Sequence, residues 1–210
     1  MTRFSSKHGF GRKIGGRSEN KKIWIFTDAE KTEPLYFISK KREIEKVLRS
    51  ERIKIVSSKG RSTTNLINYA LSYIKLNNVS RNDEYWIVFD KDDFDDFDEA
   101  IIEAQKNGLK VAYSNPCFEL WYLLHFNLYK STLSSGDAFS KINEILLKKI
   151  GTEYKKSFNG MYEFVKDYEK DAIRHAKKLI EEHKNIKLCS DKNPSTTVHL
   201  LVESLNSLMK

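Results

Sequence analysis

A chain of 210 residues, 40% apolar and 31% charged, can bury one substantial core and has the composition of a soluble globular protein. Its longest apolar runs, such as 120–126, are far too short to span a bilayer, and its two cysteines, Cys117 and Cys189, show neither a pairing pattern nor zinc-ligand spacing. The net charge of +8 is concentrated in residues 1–22, where seven lysines and arginines face the single acid Glu19.

That basic leader, set at residues 1–21, contains Gly and Ser and reads either as an arm that neutralises phosphates or as a solvated tail. No apolar run follows its charges before Ile23, so it does not read as a secretory signal, and reduced thiols in a cytoplasmic protein are expected. Residues 22–27 form a short β-rich run ending at Asp28. Thr32 and Glu33 lie near the cap of a helix whose first turn takes Pro34, with Leu35, Phe37, Ile38, Ile44 and Val47 as its apolar positions. A second strand over 53–56 leads to a helix that starts at Ser62 or Thr63. A third strand, 85–89, again ends at an aspartate, Asp90. A helix over about 94–106 stops at Asn107-Gly108, and a fourth strand, 109–113, precedes Asn115-Pro116 and an apolar helix over 118–126. Strands alternate with helices four times, which predicts an α/β fold with a mostly parallel four-stranded sheet flanked by helices. From residue 137 only helical segments are predicted, around 137–150, 168–184 and 196–208, the last opened by Asn193-Pro194-Ser195-Thr196. The division is thus a leader at 1–21, an α/β core at 22–135 and a helical portion at 136–210 packed on it.

Ligands of such sheets bind beyond the carboxyl ends of the strands, where both Asp28 and Asp90 fall. Asp90-Lys91-Asp92 places two carboxylates at one strand tip, a donor set that suits Mg²⁺ or Mn²⁺. Asp95, Asp96, Asp98 and Glu99 read more simply as acids that complement a helix dipole. If the first and third strands are neighbours, Asp28, Asp90 and Asp92 share one cleft, and their mutual repulsion calls for a cation or a shared proton. Glu119 lies among Phe118, Leu120, Trp121, Leu123 and Leu124; it is either a further acid of the site or the partner of a basic side chain or helix N–H groups. His125 reads as a packing residue. Lys59 and Arg61 follow the second strand and precede a helix, a placement that can grip a phosphate, although the spacing is not that of a P-loop. Ser195 offers similar substrate-binding chemistry, with a plain helix cap as the equal alternative.

Residues 26–37 (Phe-Thr-Asp-Ala-Glu-Lys-Thr-Glu-Pro-Leu-Tyr-Phe), 88–92 (Val-Phe-Asp-Lys-Asp), 114–126, with its Asn-Pro-Cys-Phe-Glu-Leu-Trp run, and 193–198 resemble four successive motifs of the RloB-like family. The resemblance extends from about residue 22 to the end. It implies a Toprim-like catalytic core, a prokaryotic origin, and a role tied to restriction or phage defence, often beside an ATPase encoded nearby. Where that family usually shows Glu-Gly, this chain has Asp28-Ala29. The shorter side chain sets its carboxylate roughly 1.5 Å further back, a gap that Glu30 or Glu33 could fill.

The expected activity is metal-dependent cleavage of nucleic-acid phosphodiesters. Asp28, Asp90, Asp92 and Glu119 are its catalytic acids, Asp28, Asp90 and Asp92 hold Mg²⁺ or Mn²⁺, and Lys59, Arg61 and Ser195 bind substrate. The expected partners are DNA or RNA and the ATPase, with no membrane and a homodimer left open. The rival is a non-catalytic nucleic-acid sensor or regulatory subunit of a defence ATPase, favoured by the Asp28-Ala29 departure.

Overall fold

The computed structural model describes residues 21–58, 63–77, 79–80, 82–91 and 95–210. These contain strands β1 (Ile23–Thr27), β2 (Ile53–Ser57), β3 (Glu84–Asp90), β4 (Lys110–Asn115) and β5 (Ser195–Thr196). The helices are α1 (Thr32–Leu48), α2 (Thr63–Leu76), α3 (Phe97–Lys106), α4 (Glu119–Leu124), α5 (Ser135–Ile150), α6 (Met161–Val165), α7 (Glu169–Glu182) and α8 (Val198–Ser207). The fold is α/β, with a sheet in the order β2-β1-β3-β4-β5.

β1 to β4 run parallel, and their apolar residues are buried toward both faces, as covered parallel strands require. Ile23, Ile25, Trp86, Val88 and Ala112 face one way, onto α1 and the C-terminal helices. Phe26, Ile87, Phe89, Val111 and Tyr113 face the other, onto α2 and α3. β1 pairs with β2 on one side and β3 on the other, so the strand order reverses between β1 and β3. In open α/β sheets the crevice at that reversal is the usual ligand site.

The sheet has five strands rather than the four expected, because Ser195-Thr196 adds a strand where a helix start was predicted. β5 is antiparallel to β4, with Ser114 opposite Thr196 and Asn115 opposite Ser195. A free strand edge leaves N–H and C=O groups unmet. Here Thr196 Oγ1 and the Thr197 N–H both donate to Tyr113 O at 2.9 Å, and Thr197 Oγ1 donates to Val111 O at 3.1 Å. The helix therefore begins only at Val198. Asn193 works similarly on the segment before α5: its Oδ1 accepts from the Leu133 N–H and its Nδ2 donates to Leu133 O, both at 2.9 Å.

All six residues of α4 are buried, as suits a helix that is apolar nearly all round. It packs among α5, α7 and the aromatic cluster of Tyr36, Phe118, Tyr122 and Tyr162. α5 is delimited by local chemistry: a capping box between Ser134 and Asp137 opens it, and Gly151 in the left-handed region closes it. Among the described residues no helix is long and apolar enough to cross a membrane.

α1 departs from its expected apolar stripe. Val47 is 64% exposed, whereas Lys40 is buried with Tyr36, Phe37 and Ile44. Its ammonium pairs with Glu169 of α7 at 2.6 Å, and Asn206 of α8 donates to the same carboxylate at 2.7 Å. Removing one member of a buried ion pair strands the other. Glu169→Ala is expected to cost about 3 kcal/mol in urea unfolding, and Lys40→Met combined with Glu169→Leu to recover most of it. Equal losses in the single and double variants would contradict that assignment.

Candidate active site

Three strand ends meet at the crevice between β1 and β3. Asp28 follows β1 directly and is partly exposed, Asp90 closes β3, and Glu119 opens α4 just after β4. Asp90 is only 8% exposed, and its Oδ2 accepts the Phe118 N–H at 2.9 Å. The acid of β3 thus also pins the start of α4. The Lys91 N–H donates to Ser114 O at 2.8 Å, which holds β3 and β4 together at this point.

Glu119 is 2% exposed. Its Oε1 accepts the Tyr154 hydroxyl at 2.7 Å, so neither a lysine nor an arginine is the partner found for it. Tyr154 lies in the connection between α5 and α6 and is itself buried. Burial and the neighbouring Glu119 push its phenol well above the ordinary tyrosine range, so it serves as a hydrogen-bond donor at any working pH. Nothing near Glu119 in the sequence pointed to this residue.

Glu33, in the first turn of α1, is the fourth acid and the one that sequence reading underweighted. It is 4% exposed, and beyond its hydrogen bond with Asp90 no further partner for its Oε2 is found among the described residues. Burial raises its pKa, repulsion by Asp28 and then Glu119 adds to this, and hydrogen bonds with a backbone N–H and then with Asp90 oppose it; the result is about 8. Asp28, Glu33, Asp90 and Glu119 therefore form one electrostatic unit at the crevice. Cys117 is buried beside it, and burial followed by Glu119 and Asp90 drives its thiol far above the ordinary cysteine range. The thiol is consequently inert there.

Other sequence-predicted residues fall elsewhere. Asp92, Lys59 and Arg61 lie outside the described residues. Ser195 is fully buried in β5. The register places Asp90, Ser114 and Thr196 on one face, so Ser195 sits on the opposite face, next to Tyr113 and Asn115. Asp96 and Asp98 are structural: they stand at the N-cap and in the first turn of α3, and they also hold other segments. Asp96 accepts from Thr64 at the start of α2, and Asp98 from the N–H groups of Cys189 at 2.6 Å and Ser190 at 3.1 Å. His125 is buried against Trp121, with Nδ1 donating to Trp121 O at 2.8 Å. Burial lowers its pKa to about 4, which fits a neutral packing residue.

The donors at the crevice are hard carboxylate oxygens, the type that Mg²⁺ and Mn²⁺ take. Among the described residues no three acidic, histidine or cysteine side chains stand at ligand spacing. Mg²⁺ commonly takes only one or two protein carboxylates and completes its shell with water and substrate phosphate. The residues present fit such a partly open site.

Without a cation, Glu33 keeps its proton in the folded chain up to about pH 8 but loses it near pH 4.5 when unfolded. The folded state then binds the extra proton between those values, so this contribution to stability is complete below pH 4.5 and is lost as pH rises through 8. In chelator, unfolding free energy is expected to fall from pH 5 to pH 8 more steeply for wild type than for Glu33→Gln. Parallel slopes in urea titrations would refute a protonated Glu33.

No curated protein and no solved structure matched the chain. A protein-family model described as RloB-like protein matches residues 23–205, a span that takes in β1, all the acids above and α8 as far as Leu205. The chain belongs to the RloB-like family.

Proposed function

We propose that this protein is a metal-dependent nuclease of the Toprim type, cleaving nucleic-acid phosphodiesters in prokaryotic defence against phage. The observation that carries this reading is the meeting of Asp28, Glu33, Asp90 and Glu119 at the strand-order reversal. Buried like charges are costly, and a binding surface for phosphates has no use for them. Asp90 with Asp92 would hold Mg²⁺ or Mn²⁺. When bound, such an ion polarises a scissile phosphate and stabilises charge on the leaving oxygen.

The remaining work falls to the chain. Asp28, the partly exposed acid, would take a proton from an attacking water or return one to the leaving group. The Tyr154 hydroxyl fixes the Glu119 carboxylate, so that oxygen cannot swing toward the crevice without losing a buried hydrogen bond. Lys59, Arg61 and the basic leader supply phosphate contacts at the substrate's flanks.

A second reading, a non-catalytic sensor or regulatory subunit of an ATPase, is favoured by one observation: the described acids form no three-ligand group. Both readings are separated by one experiment. Purified protein is incubated with plasmid, single-stranded DNA, total RNA and transfer RNA in Mg²⁺ or Mn²⁺, with and without any ATPase encoded nearby. Cleavage that is abolished by chelator, and reduced at least 10³-fold by Asp90→Asn/Asp92→Asn, is expected from the nuclease. Intact substrate in every lane would leave the sensor.

A further inference from the structure

One surface of the helical portion joins aromatic rings to lysines. Tyr168, in the turn between α6 and α7, is 41% exposed. Its ring centroid lies 5.4 Å from that of Phe126, which follows α4, and Phe126 lies 5.5 Å from Phe164 of α6. The Lys149 ammonium, in the last turn of α5, stands 5.7 Å from the Tyr168 centroid and 5.5 Å from that of Phe126. The helix dipole accounts for a lysine at that end of α5, but not for the exposed tyrosine set beside it. Residues 141–156 carry five lysines against Glu144 and Glu153, and Lys148, Lys149, Lys155 and Lys156 are all exposed. Of the acids around Tyr168, Glu163, Glu169 and Asp171 are each ion-paired, with Lys166, Lys40 and Arg174, and Asp167 is exposed. The surface is tied to the crevice in two ways. Phe126 lies about 10 Å of helical rise beyond Glu119, and Lys155 and Lys156 directly follow Tyr154, whose hydroxyl reaches Glu119.

We propose that this surface is a contact for single-stranded nucleic acid, with Tyr168 stacking a base and Lys149 meeting the phosphate beside it. The proposal rests on the nucleic-acid reading above and names the strand form that the chain takes. An aromatic face and a flanking cation are the two elements that hold single strands without regard to sequence. A duplex keeps its base faces inside its own stack and offers nothing to Tyr168. Phe126 and Phe164 pack on the edge of the core, so their contacts restrain the Tyr168 ring before any base arrives. The excess of exposed lysine along 148–156 gives the phosphates of the same strand a matching charge on the way to the crevice.

The test reads binding rather than cleavage. Fluorescence anisotropy of labelled oligo(dT), oligo(rU) and a DNA duplex, each about 12 nucleotides long, is measured with the full chain in chelator. The variants are Tyr168→Ala, Tyr168→Phe, Lys149→Ala and Lys75→Ala, the last removing an exposed lysine from α2 on the other face of the sheet. Wild type is expected to bind one or both single strands more tightly than the duplex, and the preferred strand tells DNA from RNA. Tyr168→Ala and Lys149→Ala are each expected to weaken that binding at least fivefold, and Tyr168→Phe and Lys75→Ala to stay within about twofold. Lys149→Ala also lowers the slope of log affinity against log salt by about 0.7. No binding by wild type, or a duplex bound as tightly as the single strands, overturns the proposal. So does an equal loss in Lys149→Ala and Lys75→Ala with Tyr168→Ala unchanged, which is general charge alone. A concentration-dependent dimer that Tyr168→Ala abolishes makes this face a contact between copies and overturns it too. Should a variant not fold, photo-cross-linking of 5-iodouracil strands to wild type decides: adducts on the peptide holding Tyr168 support the surface, and adducts only elsewhere refute it. Binding that depends on Tyr168, with every substrate left intact in Mg²⁺ or Mn²⁺, keeps this surface and rejects the nuclease. Cleavage with binding indifferent to Tyr168 keeps the nuclease and rejects this surface.

Discussion

The hydrogen bond from the Phe118 N–H to Asp90 joins an acid at the end of β3 to the first turn of the most deeply buried helix. Everything on that side of the sheet is arranged around it. α4 cannot shift without breaking a charge-assisted bond to a largely buried carboxylate, and such bonds are among the stronger ones in a protein. With α4 fixed, Glu119 is fixed, and Tyr122 and Trp121 are set against Tyr36 of α1. The Tyr122 hydroxyl reaches Thr32 O at 3.3 Å, so the aromatic cluster also holds the first turn of α1, from which Glu33 projects. Among the described residues, the crevice is therefore framed by packing on three elements.

That frame confines negative charge. Four carboxylates converge at the crevice, in contrast to Glu169, which receives Lys40 deep in the same molecule. The two solutions differ in purpose. An internal ion pair settles its own electrostatics and is a structural device. An acid cluster that keeps its repulsion until a proton or cation arrives remains responsive to what enters from outside.

Much of the architecture was legible because covered parallel strands announce themselves. Residues 23–27 and 84–90 are near-continuous apolar runs, each delivering an aspartate at its end, and Pro34 falls in the first turn of the helix after the first of them, although the residue at that helix's N-cap, Lys31, makes no side-chain cap. What could not be read follows from length and distance. β5 is two residues long and has no periodicity, so its threonines look like a helix start until the edge of β4 is known to need them. Tyr154 reaches Glu119 across 35 residues, from a connection with no pattern of its own. Glu33 was hidden by position: acids in a first helical turn are ordinarily solvated, and only the packing of α4 over α1 shows that this one is not. Lys40 was hidden for the mirror reason, as a lysine on a helix ordinarily faces water.

Thr196 lies 82 residues after Ser114, the β4 residue whose edge it closes. On a ribosome that interval takes seconds, during which β1 to β4 can pair while one margin of the sheet stays open. Contacts of such long sequence separation are the slow ones to form. The threonines of 196 and 197 therefore act as a late latch, and the acids at the neighbouring strand tip reach their final surroundings only once residue 197 has been added and freed to pair.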